Sequence, residues 1–421
     1  MEVKPEIENV KIALLNEALN YASNNSKFYK SLLAGQSISS VDSLDAFQKI
    51  PFTEKADLTK YRQDFWCVDS GSIRDFCSTS GSEGHPLTIP LTENDLDRLA
   101  RNEAHSFATA GIKNGDIIQL CTTIDKRFMA GLAYHLGARK IGAGIIRTGA
   151  YLPEYQWRTI LELKPSTLII VPSFLVKLLA FAEENGIDPA VTSVKRAICI
   201  GESIRNPDFS LNALGTRIFQ KWQIDLHATY ASSEMQTAFT ECTEFNGGHY
   251  DTALIYPEII DENEQVLPHG QSGELVITTF GIEGMPLLRY KTGDITCLHP
   301  ETCSCGHSSM RIGPIQGRKN QMIKVKGTSC YPPALIEIVN GIEAIQSFQI
   351  QVFHDELKND SVRLFLSSQA HLDLKSLADL FRSRARFAPE IILVSPEELH
   401  EMVYPENSRK AILFKDLRLP L

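Results

Sequence analysis

Apolar residues recur at helical spacing near the start of the chain. In residues 7–34 they fall on one face of a predicted helix: Val10, Leu14, Ala18 and Tyr21. A second helix is predicted to begin at Thr53 in PFTEKADL. The reason is that a threonine hydroxyl can accept a hydrogen bond from the free amides of a first helical turn.

Between residues 95 and 235, helical and extended segments alternate. The segments with helical periodicity are 95–111, 129–140, 153–163 and 174–184. Short apolar runs, which predict buried strands, follow them at 117–123, 142–147, 167–172 and 194–200. This repetition is typical of a parallel sheet with helices on both faces.

After residue 270 the pattern changes to short strands and turns, beginning with ELVITTF (274–280). The segment GRKNQ (317–321) has little apolar content, which predicts a linker. Beyond it, the apolar segments 348–354 and 362–368 enclose KND, as in a hairpin. The C-terminal part is therefore predicted to be a small unit of mixed α and β structure.

The length of 421 residues predicts two or three structural units, and 43% hydrophobic residues suffice for a large core. We predict an α/β fold in which a large N-terminal domain, residues 1–317, carries doubly wound sheets. A small mobile α+β domain, residues 318–421, is predicted to follow it.

Charge and cysteine content exclude several classes of protein. A net charge of −9 without a cluster of basic residues argues against nucleic acid or an anionic membrane as a partner. The N-terminal segment lacks the apolar core of a signal peptide, and no uncharged apolar run approaches the roughly 18 residues of a membrane span. Nine cysteines without regular spacing are not typical of a disulfide framework. These features predict a cytoplasmic protein.

A glycine- and hydroxyl-rich loop, TSGSEGHP (79–86), is the first candidate for binding chemistry. Its backbone amides and hydroxyls can hold a polyphosphate, although no Lys-Ser/Thr follows as in a P-loop. The residues expected to do so are Ser80, Gly81, Ser82 and Gly84. Alone, such a segment is better explained by a polar surface turn.

Two further turns carry side chains suited to a nucleotide. One is YASSE (230–234), in which Tyr230 can stack on a base, Ser233 can reach a phosphate and Glu234 can hold Mg²⁺. The other is a Gly-Glu-Ser turn upstream, which only its resemblance to a family motif assigns to a nucleotide: Gly201, Glu202 and Ser203.

RYKTGD (289–294) and GRKNQMIKVKG (317–327) lie further along the chain. The carboxylate of Asp294 can accept hydrogen bonds from both hydroxyls of a ribose. Asn320 tolerates unusual backbone angles, so it suits a hinge. Both segments are also ordinary as a β-turn and a surface linker.

Four soft or borderline ligands form a candidate zinc site. They come as C-x6-H and C-x-C: Cys242 and His249, then Cys303 and Cys305. Two such pairs can fill the tetrahedron that Zn²⁺ prefers. His307 is a competing ligand, and unrelated packed cysteines are the plain alternative.

In this order, and with Lys410 in ENSRKAILFKDLR at the end, the motifs resemble those of the adenylate-forming superfamily. The likeness is closest to its phenylacetate–coenzyme A ligase branch, which is marked by PFTEKADL, PSFLVKLL and CSCGHSSMRIGPIQGR. Glu83 and His85 depart from the family's phosphate loop, which has a hydroxyl residue and a lysine there.

The resemblance implies an AMP-forming acid–thiol ligase that uses ATP, Mg²⁺, a carboxylic acid and coenzyme A, with a structural Zn²⁺. It makes Lys410 and Glu234 catalytic and Asn320 the hinge. The residues named above in the 79–86 loop, in the 201–203 and 230–234 turns and at Asp294 are implied to contact ATP or coenzyme A. Three further residues are implied to do so: Arg318, Lys326 and Gly327.

The same resemblance places Leu136 and Ala228 in the acid pocket, with Leu136 standing where the branch has a tyrosine. An aryl or arylalkyl acid and a homodimer are implied only by relatives. Two alternatives stay open. In one, the acyl group passes to a carrier protein or to a protein cysteine such as Cys330. In the other, the chain is a non-catalytic nucleotide-binding homologue.

Overall fold

The computed structural model describes residues 5–34, 40–79, 86–325, 327–342, 344–345, 347–355, 358–367, 372–405 and 411–418. The chain divides into two compact units. The first unit consists of Met1–Ser210, Arg217–Thr292 and Thr296–Pro314. The second unit consists of Leu211–Thr216, Gly293–Ile295 and Ile315–Leu421. The boundary between residues 317 and 318 that the sequence suggests stays a prediction.

The helices that the structure describes are α1 (Pro5–Asn25), α2 (Lys27–Leu33), α3 (Leu44–Phe47), α4 (Lys55–Tyr61), α5 (Glu93–Thr109), α6 (Met129–Ile141), α7 (Pro153–Leu163), α8 (Pro172–Glu184), α9 (Ala213–Lys221), α10 (Pro332–Asn340), α11 (Leu374–Ala385) and α12 (Pro396–Val403). Short 3₁₀ helices occur at Arg62–Phe65, Pro189–Val191 and Lys319–Gln321. Among these helices, none combines the length and the apolarity that a membrane span requires.

The strands are β1 (Asp75–Ser78), β2 (Thr88–Leu91), β3 (Ile117–Leu120), β4 (Gly144–Arg147), β5 (Thr167–Ile170), β6 (Arg196–Ile200), β7 (Asp225–Ser232), β8 (Thr237–Glu241), β9 (Gly248–His249), β10 (Ile255–Ile260), β11 (Ser272–Thr279), β12 (Tyr290–His299), β13 (Arg311–Ile312), β14 (Gly317–Arg318), β15 (Ile323–Val325), β16 (Thr328–Cys330), β17 (Ser347–His354), β18 (Asp360–Ser367), β19 (Glu390–Leu393) and β20 (Phe414–Asp416).

The main sheet has a parallel part and an antiparallel part. Its strand order is β10-β11-β12-β13-β9-β8-β7-β6-β5-β3-β4. Strands β4, β3, β5, β6 and β7 pair in parallel, as the alternating pattern predicted. Strand β7 then pairs antiparallel with β8 through Thr229↔Thr240 to Ser232↔Thr237. The predicted α/β class, with a smaller α+β unit, is confirmed.

Helices α5 and α6 cross beside this sheet with almost no space between them. A Cβ atom at Gly137 of α6 would lie 2.3 Å from the Cβ of Glu103 on α5. No larger residue fits there without displacing a backbone. A core of buried side chains lies around this crossing: Phe107, Ile112, Ile118, Leu120, Tyr134, Ala138, Ile169 and Ile198.

The first predicted helix is confirmed as α1, whereas the predicted start of the second helix was wrong. The buried face of α1 is formed by Leu15, Ala18, Leu19 and Ala22, so Ala18 of the predicted face is buried, whereas Val10 is 61% exposed. The N-cap of α4 is Glu54, which forms a capping box with Asp57, and not Thr53. Thr53 is fully buried, and its hydroxyl donates to the carbonyl oxygen of Leu288 at 2.8 Å. A tertiary partner for the hydroxyl therefore replaced the expected cap.

The second unit contains a four-stranded sheet in the order β19-β18-β17-β20. The predicted hairpin is confirmed, because β17 and β18 pair antiparallel from Ser347↔Ser367 to His354↔Asp360. Buried apolar residues of the strands and of α10 and α11 form its core: Leu335, Ile338, Phe348, Ile350, Val352, Leu364, Leu366 and Phe381.

Candidate active site and metal centre

Two of the predicted nucleotide-binding turns follow neighbouring parallel strands. Residues 201–203 come directly after β6, and residues 230–234 form the end of β7 and the turn that follows it. In the paired strands Ile200 lies opposite Thr229. The carboxyl ends of adjacent parallel strands are where open α/β sheets bind ligands, especially where the strand pattern changes. Here the pattern changes at β7, whose other neighbour is the antiparallel β8.

The turn after β6 is held by the first turn of α8. Gly201 has a φ of +76°, which a residue without a Cβ adopts at low cost. The carboxylate of Glu202 accepts hydrogen bonds from the backbone amide and the hydroxyl of Ser173, both at 2.8 Å. These bonds fix the orientation of the carboxylate, so Glu202 presents a defined edge to any ligand at this turn.

The turn after β7 is closed by local bonds and anchored from below. The Ser232 hydroxyl accepts from the amide of Met235 at 3.3 Å. Gln236 has a φ of +50°, and its carbonyl accepts from the buried guanidinium of Arg98 at 2.7 Å. Because Glu234 lies between these two anchored positions, its backbone is held near the end of β7, and its side chain is half-buried.

The two residues predicted to line the acid pocket are both half-buried. Leu136 lies on α6 beside Gly137, and Ala228 lies on β7. Near Leu136, Glu103 is only 5% exposed, and burial raises the pKa of its carboxyl group to about 8. Its Oε1 accepts from the Asn102 amide at 3.0 Å, while no described residue is a hydrogen-bond partner of its Oε2.

A buried ion pair that sequence reasoning missed ties the segment after the Gly201–Ser203 turn to β7 and β8. The Nε atom of Arg205 lies 3.1 Å from Glu241 Oε1, and the two side chains are 8% and 3% exposed. The guanidinium also donates to the carbonyl oxygen of Leu226 at 2.8 Å. In addition, Glu241 accepts from the backbone amide of Ala228 at 2.8 Å. No signal in one sequence links two residues 36 positions apart, although only Ile204 separates Arg205 from the Gly-Glu-Ser turn.

The phosphate loop falls between the antiparallel strands β1 and β2. The flanks of this loop are bonded to each other, because the Leu87 amide donates to the Thr79 hydroxyl at 3.0 Å and the Thr79 amide donates to the Leu87 carbonyl at 3.1 Å. The predicted phosphate ligands lie outside the described residues: Ser80, Gly81, Ser82 and Gly84. Lys326 and Lys410 also lie outside them, so their roles stay predictions.

In the second unit, Asp294 and Arg318 form an ion pair, with Arg318 Nε 3.1 Å from Asp294 Oδ1. Their strands are paired at this point, since Asp294 lies opposite Arg318. Asn320 lies in the 3₁₀ helix that follows. Gly327 has a φ of +80°, and a Cβ built on it would meet nothing within 4 Å. The roles proposed for these residues in binding and hinge motion stay predictions.

The four candidate zinc ligands lie together in the first unit. The ligand atoms of Cys242, His249, Cys303 and Cys305 are all within 4.8 Å of one another. Cys242 Sγ lies 3.7 Å from Cys303 Sγ, and Cys305 Sγ lies 3.4 Å from His249 Nε2.

These distances fit a tetrahedral metal site. Zinc bonds of about 2.3 Å to sulfur and about 2.0 Å to nitrogen put two sulfurs about 3.8 Å apart, and a sulfur and a nitrogen about 3.5 Å apart. The other ring nitrogen of His249, Nδ1, lies 3.1 Å from the Ser309 hydroxyl, which leaves Nε2 to face the thiols. The ring of His307, the competing ligand, lies beside that of His249, with 4.8 Å between the centroids and the ring planes tilted by 34°.

Comparison with known sequences identifies the family. The profile of the AMP-binding enzyme family matches residues 16–283. A phenylacetate-coenzyme A ligase of Thermus thermophilus is 31% identical over 373 residues, which cover 84% of this chain and 81% of that protein. One of Pseudomonas putida is 30% identical over 375 residues, which cover 85% of this chain and 82% of that protein.

Solved structures show the same fold. A 2-hydroxyisobutyryl-CoA ligase in its postadenylation state superposes with a TM-score of 0.84 at 22% identity, covering 98% of this chain and 90% of that one. An anthranilate CoA ligase in complex with anthranoyl-AMP gives 0.61 at 16% identity, covering 84% of this chain and 66% of that one. Sequence, fold and the order of the motifs agree, and the chain belongs to the AMP-binding enzyme family of adenylate-forming enzymes, in its phenylacetate–coenzyme A ligase branch.

Proposed function

We propose that the chain, an AMP-forming acid–coenzyme A ligase by its family, activates an aryl or arylalkyl carboxylic acid. The carboxylate would attack the α-phosphorus of ATP to give an acyl-adenylate and pyrophosphate. The thiol of coenzyme A would then displace AMP to give the thioester. The observation that carries this proposal is 31% identity to a phenylacetate-coenzyme A ligase over 84% of the chain.

In the first step the protein has to stabilise negative charge that develops around the α-phosphate. A carboxylate is a poor electrophile, and joining it to AMP provides a good leaving group, while negative charge gathers on the bridging oxygens. Lys410 would supply positive charge there, and Glu234 would hold Mg²⁺ beside the phosphates. Loss of one such charge-stabilising group lowers a rate by about 10²–10³-fold.

The remaining nucleotide contacts follow from the motifs. The Gly201–Ser203 turn and Tyr230 would hold the adenine and the α-phosphate, and the turn geometry at the ends of β6 and β7 supports this. Asp294 would accept hydrogen bonds from the ribose hydroxyls. For the second step, the small unit would turn about Asn320, so that Gly327 flanks the path of the thiol arm.

The acid is proposed from the relatives and from the residues expected to line its pocket. Phenylacetate is the acid in the names of the matched relatives. Leu136, in place of an aromatic residue, provides an apolar wall that lacks a ring, and Ala228 takes up little space. An apolar acid with its own aromatic ring would fill such a pocket better than a short aliphatic acid.

We also propose that Cys242, His249, Cys303 and Cys305 hold a structural Zn²⁺. The support is the agreement of the Cys242–Cys303 and Cys305–His249 distances with a tetrahedral site, together with the Ser309 bond that orients His249. A site with four protein ligands has no open position for a water or a substrate, so the metal would stabilise the fold and take no part in the reaction.

Coenzyme A is favoured over a protein cysteine as the acyl acceptor. Cys330, the cysteine after the hinge, is half-buried on β16. Burial, with a smaller contribution from the charge of Asp360, raises the pKa of its thiol to about 11. A thiol that stays protonated near neutral pH is a poor nucleophile.

Pyrophosphate exchange into ATP tests the proposal. We expect exchange with phenylacetate or benzoate but not with acetate, and a coenzyme A thioester by mass spectrometry once coenzyme A is added. Lys410→Ala should abolish the exchange, and the matched variant Lys415→Ala, at an exposed lysine of β20, should retain it. Exchange with acetate alone would exclude an aryl acid. An acyl group found on the protein instead of on coenzyme A would favour the carrier-type alternative.

A further inference from the structure

The ion pair of Arg205 and Glu241 occupies the point where three elements meet. Arg205 follows the Gly201–Ser203 turn, and the Ser203 hydroxyl donates to its carbonyl oxygen at 3.1 Å. Glu241 is the last residue of β8. Through the Arg205 guanidinium and the Glu241 carboxylate, the turn after β6 is tied both to β7 and to β8.

The Glu241 carboxylate also takes part in the backbone pairing between β7 and β8. The ladder between β7 and β8 ends at Thr229↔Thr240. At the next position the amide of Ala228 donates to the side chain of Glu241 instead of to its carbonyl. That carbonyl lies 3.1 Å from His227 Nδ1. A carboxylate therefore substitutes for a strand hydrogen bond two residues before Tyr230.

The Nε and Nη2 atoms of Arg205 and both carboxylate oxygens of Glu241 have hydrogen-bond partners. Arg205 Nε lies 3.1 and 3.2 Å from the two oxygens of Glu241, and Nη2 lies 3.2 Å from Oε2. The guanidinium also lies over the ring of Phe245, 5.1 Å from its centroid. A planar fork bound in this way has little freedom, so it fixes both distance and angle between the groups it joins.

We propose that Arg205 and Glu241 are positioning residues that set the separation between the Gly201–Ser203 turn and the Tyr230–Glu234 turn. Both turns are those that the family likeness assigns to the nucleotide. A displacement of one turn by about 1 Å relative to the other is enough to cost a large factor in binding and rate. The inference rests on the proposed function, because it requires that these turns bind ATP.

The test is the affinity of the full-length protein for ATP with Mg²⁺, measured by calorimetry without any acid. The double variant Arg205→Met/Glu241→Gln removes both charges, while the glutamine oxygen can still accept from the Ala228 amide. Replacing both members of a buried ion pair is often close to neutral for folding. We expect a melting temperature near that of the wild type and a dissociation constant for ATP raised about tenfold or more.

A matched control ion pair lies at the start of β6, the strand that precedes the Gly201–Ser203 turn. Arg196, the first residue of β6, forms an ion pair with Asp116, and Arg196→Met/Asp116→Asn should leave ATP affinity unchanged. Arg205→Lys keeps the charge but loses the fork, so it should weaken ATP binding severalfold in a folded protein. If the double variant does not fold, the ATP affinity of Arg205→Lys tests the positioning role.

The results distinguish a failure of the proposed function from a failure of the positioning role. Failure of the wild type to bind ATP would overturn the proposed function itself. Binding by the wild type together with equal affinity in the folded double variant, or in Arg205→Lys, would overturn the positioning role and leave the proposed function intact. A loss of affinity equal to that of the control at Arg196 would also overturn it, because a general weakening of the sheet would then explain the effect.

Discussion

Replacing Glu103 with glutamine should remove a pH-dependent loss of stability from this protein. Glu103 is buried between α5 and α6, and the pKa of its carboxyl group is raised from 4.5 to about 8, chiefly because burial disfavours the charged form. Oε2 has no hydrogen-bond partner among the described residues, so no contact there stabilises the ionised form.

The direction in which stability changes with pH follows from the number of protons that the folded and unfolded states bind. Between pH 4.5 and about pH 8, the folded protein keeps the Glu103 proton, whereas the unfolded chain has released it. The stabilising contribution of the neutral carboxyl group is therefore complete below pH 4.5 and is lost as the pH rises to about 8. The loss is about 1.4 kcal/mol per pH unit, or about 4 kcal/mol between pH 5 and pH 8.

Glutamine is neutral at every pH, and its carbonyl oxygen can still accept from Asn102. The melting temperature of Glu103→Gln minus that of the wild type should therefore rise by about 4–6 °C between pH 5 and pH 8, and then stay level. Differential scanning calorimetry in matched buffers measures this difference. Glu93→Gln, which removes a carboxylate at an exposed position in the first turn of the same helix, is the matched control. A flat difference for Glu103→Gln would refute the argument that its carboxyl group is protonated in the fold.

Three further predictions concern the active site, the metal and the helix crossing. Lys410→Ala should lower adenylation by at least about 10²-fold but spare thioester formation from a presynthesised acyl-adenylate, and equal loss of both half-reactions would reject a role confined to the first step. The purified protein should contain about one zinc per chain by elemental analysis. Cys305→Ser should lose that zinc whereas Cys330→Ser should keep it, and a metal-free wild type with reduced thiols would exclude the site. Gly137→Ala should destabilise the protein by about 1–3 kcal/mol in chemical denaturation, because its new Cβ would overlap Glu103. Gly144→Ala, whose added Cβ would lie 3.8 Å from its neighbours, should change stability little, and an equal effect of the two would contradict the steric argument.

Features fixed by short stretches of sequence could be predicted well. The alternation of helical and apolar segments indicated the parallel strands, and adjacent parallel strands necessarily bring their carboxyl ends together. The residues after β6 and β7 could therefore be expected to lie side by side. The Cys/His pairs, about 60 residues apart, could be proposed because few other arrangements explain C-x-C-G, and their ligand atoms do lie together.

Features that depend on tertiary partners could not be predicted. Thr53 has the residue type of a helix cap, but burial against Leu288 gives its hydroxyl a different acceptor. Val10 fits the helical period and yet lies on the exposed side, because the period does not say which of two adjacent stripes meets the core. The Arg205–Glu241 pair joins residues whose contact depends on the register of β7 against β8.

The absence of a side chain at Gly137 has a consequence for how this ligase could acquire new substrates. A Cβ atom added at Gly137 would lie only 2.3 Å from the Cβ of Glu103, so the backbone of α6 is packed directly against α5. The two helices therefore have no room to shift relative to each other. If Leu136 faces the acid, enzymes descended from this one could not enlarge the pocket by shifting the helix. They would have to exchange the side chain at position 136, so evolution of acid preference would proceed in discrete steps at one residue.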